Sequence, residues 1–370
     1  MTVQFVTCIG LSIALGACTT MAQAPEAANS MTPHGAMTLE RLDTLHAKMK
    51  LIPEGVQIAI ALIDGDSTTY YGLVRQNNTL RTIENADSVF EIGSISKVMT
   101  AAILAQRVSA GQMRLDDAAT EYLDFSLKGD PKFTLRHLAC HTAGLPRLPS
   151  NMVMRILLNP DNPYADYDEG ALRKYLQKKL KLEAAPGERY AYSNLGMGLL
   201  GYVLEKQSGE TYEALLQRWV FEPCGMTSSA VSRSRVADRF VAGRDKNGRK
   251  RPNWDLGVLA GAGAVLSTVR DLTAFGRSQC DPGNPQAALM LQTHHRHSEK
   301  MDMGLAWHLL KNKDGRTLAW HNGGTGGCRS SLTLDVARRK GVVVLSNLSP
   351  DHADADAIDQ IGFALLRSLD

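Results

Sequence analysis

Phe90-Glu91-Ile92-Gly93-Ser94-Ile95-Ser96-Lys97 is the stretch on which the reading of this chain turns. It leads into Val98 to Ala110, a good helix former that stops at Gly111. Ser94 is therefore expected near a helix N-terminus, with Lys97 one turn on. Side chains at i and i+3 share a helix face, so the hydroxyl and the amine can meet. A serine hydroxyl is a poor nucleophile until a base takes its proton. Lysine serves as that base only when neutral. Its ordinary pKa is about 10.4, and burial lowers it by up to ~3–5 pKa units. A helix N-terminus also favours negative charge developing at Ser94. Ser-x-x-Lys by itself recurs by chance on surface helices; the apolar surroundings and the preceding Gly93 give it weight here. Other serine-hydrolase plans fit worse. Ser96 stands where Gly-x-Ser-x-Gly needs its second glycine, and no Gly-Asp-Ser-Gly string occurs.

Strand and helix patterns flank this segment on both sides. Upstream, Thr38 to Lys50 has helical spacing through Leu39, Leu42, Leu45 and Met49. Val56, Ile58, Ile60 and Leu62 then alternate as in a strand, Asp64-Gly65 turns, and Ser67 to Leu73 returns as a partner strand. Downstream, Arg316 to His321, Ser331 to Asp335 and Gly341 to Asn347 read as strands, with a turn at Ala337 to Lys340. Asp354 to Leu369 closes with a helical pattern through Ile358, Ile361, Leu365 and Leu369. The middle, 95 to 250, is mostly helical pattern broken by Gly and Pro loops. Strands at both ends with helices between them predict an α/β fold of the α+β type. An antiparallel β-sheet would be flanked by helices, with an inserted mainly helical subdomain at roughly 106–250. No internal repeat is visible.

The whole chain narrows the function classes. With 370 residues and 44% hydrophobic content, it can bury a large core. A net charge of +3 and 21% charged residues do not advertise nucleic-acid binding. The densest cationic stretch, Arg244 to Arg251, reads as a solvated loop around Asn247-Gly248. Residues 1–24 carry no charged side chain and read as a signal peptide, because the apolar run from Val3 to Ala17 is too short for a comfortable membrane span. Leu15-Gly16-Ala17-Cys18 resembles a lipoprotein cleavage box, so membrane attachment through a lipidated Cys18 and a periplasmic or outer-membrane-anchored location are expected. Ordinary cleavage after Ala22-Gln23-Ala24 is the competing reading. Residues 25–36 form a tether, and 37–370 a single hydrolase domain, expected as a monomer. Cys140, Cys224, Cys280 and Cys328 lie widely apart. An export compartment permits a disulfide, yet spacing assigns none, and the simplest reading is small buried apolar residues.

Three motifs stand in order along the chain: Ser94-Ile95-Ser96-Lys97, Tyr192-Ser193-Asn194 and His321-Asn322-Gly323. Supporting phrases are Arg114-Leu115-Asp116-Asp117, His141-Thr142-Ala143-Gly144-Leu145-Pro146, Pro186-Gly187-Glu188, and Leu266-Ser267-Thr268 with Asp271-Leu272. From about residue 40 onward the chain resembles the serine β-lactamase and penicillin-binding superfamily, in particular class C β-lactamases, DD-peptidases and related esterases. The motifs match its Ser-x-x-Lys, Tyr-x-Asn, and Lys-Thr-Gly or His-x-Gly. The resemblance implies Ser94, Lys97 and Tyr192 as catalytic residues, with Lys97 and Tyr192 sharing proton transfer. It implies Asn194 as a hydrogen-bond partner of the substrate's side-chain amide. His321, on a strand edge, would bind the substrate carboxylate or relay protons to Tyr192. The backbone N–H groups of Ser94 and Gly324 would form the oxyanion hole. From the residues alone, Tyr192 opens the segment Ser193 to Ser208, which has helical spacing at Leu195, Leu199, Leu200 and Val203. That puts its phenol at an element boundary, where a core tyrosine is the competing reading.

The third motif departs from the usual lysine. An imidazole at His321 is charged only part of the time at neutral pH, and Arg329 is the candidate to supply the missing charge. Gly323-Gly324-Thr325-Gly326-Gly327 is no phosphate loop, since no Gly-Lys-Ser/Thr follows it; it lets substrate lie close along a strand. Cys328 stands where a bulky apolar residue is expected. His294, His295 and His297 form a candidate Zn2+ patch, but nothing completes a site by spacing, so a surface loop is preferred and no cofactor is expected. The implied activity is an acyl-enzyme at Ser94 acting on a β-lactam ring or a D-Ala-D-Ala peptide. An esterase of the same family and a penicillin-binding sensor that does not turn over are the alternatives.

Overall fold

The computed structural model of the chain describes residues 33–49, 51–312 and 314–369. The expected signal peptide, Cys18 and all but the last four residues of the expected tether lie outside the described residues. Helix α1 (Leu39–Met49) turns Leu42, Leu45 and Met49 inward. A meander follows: β1 (Gln57–Asp64), β2 (Ser67–Gln76) and β3 (Thr79–Ile83). The tight turn between β2 and β3 is Asn77-Asn78, both with positive φ (52° and 58°), the conformation of a primed hairpin turn. Next come the short β4 (Phe90–Glu91) and α2 (Ser96–Ser109). The helical stretch contains α3 (Leu135–Ala139), α4 (Val153–Leu158), α5 (Glu169–Lys178), α6 (Asn194–Ser208), α7 (Tyr212–Leu216) and α8 (Glu222–Cys224). The chain then returns through β5 (Leu266–Ser267), which pairs with β4, and α9 (Val269–Gln279) and α10 (Pro285–Met290). It ends with β6 (His295–Arg296), β7 (Met301–Met303), β8 (His308–Lys311), β9 (Thr317–Gly324), β10 (Arg329–Asp335), β11 (Lys340–Ser346) and α11 (Ala357–Ser368).

Nine strands make one antiparallel sheet in the order β3-β2-β1-β11-β10-β9-β8-β7-β6. The β1–β11 pairing, with Ile60 opposite Val344, joins the two ends of the chain. Period-2 alternation sends β1 side chains to both faces, and both faces are covered. Ile58, Ile60 and Leu62 join Val342 and Val344 under α1 and α11. Ala59, Ala61 and Ile63 join Val343 and Leu345 in the larger core that also holds α2 and α6. The fold is therefore the α/β type expected, a large antiparallel sheet flanked by helices.

Two helix starts matter for the cleft. Ser193 caps α6, its Oγ accepting from the Gly196 N–H at 2.9 Å, and Gly209 ends that helix in the left-handed conformation. Ser96 ties the beginning of α2 down on both sides. Its Oγ donates to the Gly93 carbonyl at 2.7 Å and accepts from the Val265 N–H at 3.0 Å.

The structure differs from the sequence reading in places. The strand expected over Arg316 to His321 continues to Gly324, because Gly323 and Gly324 go on pairing with Ser330 and Arg329. His321 is not at a sheet edge, since β9 lies between β8 and β10. The Arg244–Arg251 stretch is a turn on Asp245, but its end residues point inward. Arg244 donates to the carbonyls of Gly55 and Gly248, and Arg251 pairs with Asp161. All four cysteines among the described residues are free thiols, and Cys140, Cys280 and Cys328 are buried.

Candidate active site

The turn that carries Ser94 is built on a glycine. Gly93 has φ +52°, which a side chain would strain, and a Cβ there would sit 2.7 Å from the Gly324 nitrogen. The backbone can therefore bring Ser94 hard against β9. Ser94 follows in a short 3-10 turn and is half-buried. Lys97, in the first turn of α2, is fully buried. Its Nζ donates to the Ala262 carbonyl at 2.5 Å and to Ser94 Oγ at 2.9 Å, and no carboxylate pairs with it among the described residues. Burial, helped by the positive charge of Arg147, holds the amine well below the usual lysine range. Such an amine has a lone pair to offer at neutral pH.

Tyr192 precedes the α6 cap and is placed by it. Its ring lies 4.9 Å from Lys97 Nζ, and its hydroxyl exchanges a hydrogen bond with Ser94. Burial keeps the phenol protonated, above the usual tyrosine value. Asn194, the first residue of α6, donates from Nδ2 to the Tyr164 hydroxyl at 3.3 Å, while its Oδ1 is buried with no partner. A buried acceptor without a donor is costly, so this oxygen fits a ligand that brings an N–H.

The opposite wall is β9. A Cβ on Gly323 would lie 2.0 Å from the Ile92 carbonyl and 2.9 Å from the Ser94 nitrogen. The Ser330 hydroxyl on β10 donates to that same Ile92 carbonyl at 2.7 Å, stitching the sheet to the Ser94 turn. Asn322 and Arg329 both bond Asp359 of α11, at 2.8 and 2.6 Å. Together these walls enclose a cleft of about 590 Å³ lined by Ser94, Tyr192, Asn194, Asn322, Gly323, Gly324 and Arg329.

The structure thus brings Ser94, Tyr192, Asn194, Gly323, Gly324 and Arg329 around one cleft, with Lys97 buried beneath Ser94 and His321 at a different depth. His321 is 1% exposed and lies behind the cleft surface. Its Nδ1 bonds the Asn322 carbonyl oxygen at 2.7 Å, its Nε2 is buried without a partner, and burial holds its pKa well below the usual histidine value. A neutral ring in that position is no carboxylate anchor. Arg329 reaches the cleft, but its charge is already met by Asp359 and Asp356. The histidines proposed as a zinc patch do not assemble. Both ring nitrogens of His294 are occupied, by Arg136 and by the Leu289 carbonyl, and His297 packs on Tyr190. No group of three side chains able to hold a metal occurs among the described residues.

Sequence reasoning missed four residues here. Arg147 directly follows the Gly144-Leu145-Pro146 phrase, and its guanidinium lies 5.1 Å from the Tyr192 ring centroid. Arg251 and His308 line the cleft; His308 bonds the Tyr190 hydroxyl at 3.1 Å, and burial pulls its pKa down to about 4. Glu91 is buried beneath the end of β9. Its carboxyl accepts from the Trp254 N–H at 2.8 Å and the Thr325 hydroxyl at 3.1 Å, and burial raises its pKa to about 7. The Cys328 thiol also bonds Glu91, which accounts for a small polarisable residue at that position. For Arg147 and His308 the only advance signal was proximity to a quoted motif or to a strand the periodicity did not reveal.

A profile of the family described as Beta-lactamase matches residues 50–366. The chain belongs to the β-lactamase family. It is a serine hydrolase of that family. This β-lactamase-family chain is 28% identical over 319 residues to the D-alanyl-D-alanine-carboxypeptidase/endopeptidase AmpH of Escherichia coli K12, covering 79% of this chain and 80% of that protein. It is 27% identical over 317 residues to a β-lactamase of the same organism, covering 75% and 80%. Among solved structures, a class C β-lactamase superposes with a TM-score of 0.72 at 19% identity, covering 90% of this chain and 97% of that one. A β-lactamase/D-alanine carboxypeptidase from Yersinia pestis gives 0.70 at 21% identity, covering 88% and 95%. At these identities the structural likeness speaks for the fold.

Proposed function

We propose that this chain is an exported hydrolase that forms an acyl-enzyme at Ser94, acting as a β-lactamase or as a DD-peptidase on D-Ala-D-Ala ends. The observation that carries the reading is the fully buried, carboxylate-free Lys97 amine 2.9 Å from the Ser94 hydroxyl. In this reading Ser94 Oγ attacks the substrate carbonyl while its proton passes to Lys97 Nζ. Negative charge develops on the carbonyl oxygen between the backbone N–H groups of Ser94 and Gly324, whose segments are in contact. Two aimed donors of this kind are worth several kcal/mol, at ~3 kcal/mol each. The Asn194 Oδ1 accepts the substrate's amide N–H. Tyr192 hands its proton to the departing nitrogen and recovers one from Lys97. Water then attacks the acyl-enzyme by the reverse path, releasing the acid and restoring Ser94. The names and activities of the relatives support this choice of substrates, and the apolar leader ending at Cys18 supports export to the compartment where they occur.

The test is intact mass together with product release after mixing the soluble protein with a penicillin, an acyl-D-Ala-D-Ala peptide or a short-chain ester. The expected result is Ser94-dependent product from the lactam or the peptide, with no adduct in Ser94→Ala. Equal turnover in Ser94→Ala would remove the mechanism. An adduct that forms and never releases product would make the protein a sensor.

A further inference from the structure

Three arginines reach the cleft: Arg147, Arg251 and Arg329. Two have acidic partners, Asp161 for Arg251 and Asp359 with Asp356 for Arg329. Arg147 is exposed and has no carboxylate partner among the described residues. It is also fixed in place at its backbone, because its carbonyl accepts from the N–H groups of Asn194 and Leu195 at the start of α6. Its side chain lies against the face of Tyr192, the residue given the task of protonating the leaving atom. The positive charge is felt throughout the pocket, at Lys97, Tyr192, Tyr164 and His141.

We infer that Arg147 is the anchor for a carboxylate on the leaving-group side of the scissile bond. The inference rests on the acyl-transfer reading and deepens it, by naming the feature that selects the substrate. In a peptide acid the departing nitrogen and the terminal carboxylate are separated by one carbon. A guanidinium beside the ring that serves that nitrogen is therefore within reach of the carboxylate. Its planar fork matches a carboxylate's two oxygens. The residues expected for the task are otherwise committed: His321 is buried and neutral, and the Arg329 charge is spent on Asp359. Preferred substrates would carry a free carboxylate on the carbon attached to the departing nitrogen, in a peptide end or beside a lactam ring.

The experiment compares kcat/KM for an acyl-D-Ala-D-Ala peptide acid with the same peptide as its C-terminal amide, in wild type, Arg147→Ala, Arg147→Lys, Arg329→Ala and Ser94→Ala. Wild type is expected to prefer the acid. Arg147→Ala should cut that acid-to-amide ratio by roughly 10- to 100-fold, the worth of a charge-assisted hydrogen bond, and Arg147→Lys should restore part of it. Because the readout is a ratio, any change in the Lys97 amine caused by removing the neighbouring charge cancels. An unchanged ratio in Arg147→Ala and Arg147→Lys, or a loss that appears in Arg329→Ala instead, overturns the assignment. If wild type cleaves neither peptide, the same ratio is read with a penicillin and its carboxyl methyl ester; if it turns over none of the four, or Ser94→Ala turns them over equally well, the acyl-transfer reading falls and takes the inference with it. Ser94-dependent cleavage whose acid preference ignores Arg147 defeats the inference alone.

Discussion

Glu91 sits between the Ser94 turn and the end of β9, with Trp254, Thr325 and Cys328 on its carboxyl. Burial raises its pKa to about 7, against about 4.3 in an unfolded chain. Between those values the folded state binds more protons than the unfolded state. Stability contributed by Glu91 therefore falls as pH rises through this window and stays low above it. Gln in its place keeps an acceptor for Trp254 and offers a donor to Thr325, with no charge to bury. The expected outcome is that Glu91→Gln and wild type have similar Tm near pH 4, and that the variant gains on wild type as pH rises to 8. A constant Tm difference across that range would show that Glu91 titrates like an exposed carboxylate. His308, with its pKa near 4, and the buried His141 and His321 work in the opposite sense. Each must stay neutral in the fold, so acid favours the unfolded chain. These terms are common to both proteins and drop out of the comparison.

At the scale of elements, β9 matters because it brings bare backbone to Ser94. Gly323→Ala puts a methyl 2.0 Å from the Ile92 carbonyl, and backbone must move to admit it. The movement carries the Gly324 N–H away from the carbonyl oxygen it is proposed to hold. Acylation by a penicillin should slow by about 10²- to 10³-fold, the cost of one oxyanion donor, in a protein that still shows a cooperative thermal transition. Unimpaired acylation would place the oxyanion elsewhere. The start of β9 was legible from Arg316 onward, but its glycine end was not, since glycine carries no strand signal and pairing alone extends it to Gly324. β3 escaped notice because its five residues carry only two apolar side chains, Leu80 and Ile83, out of alternation, although Asn77-Asn78 is a hairpin signal by its chemistry. β6, β7 and β8 are too short for alternation to show, and His308 on β8 was lost with them. The stronger elements, α2, α6, β1 and β11, were legible because each has one dominant apolar pattern that tertiary packing uses as it stands.

At the scale of the molecule, the cleft joins residues 94–97, 192–194 and 321–324, which only the complete fold brings together. Motif order announced that union; the burial of His321 and the free charge of Arg147 could not be read from it, because depth and pairing are properties of the assembled body. Lys97 shows the point best. No neighbour in sequence lowers its pKa; burial in the assembled core, helped by the charge of Arg147 from far along the chain, does so. The direct measurement is an NMR titration of the Lys97 amine, with side-chain nitrogen labelling and Lys97→Arg to assign the signal. The predicted result is a neutral amine at pH 7 in the folded protein and ordinary titration near 10.4 in denaturant. A folded-state Lys97 that stays charged until pH 10 would contradict its proposed role as the base for Ser94.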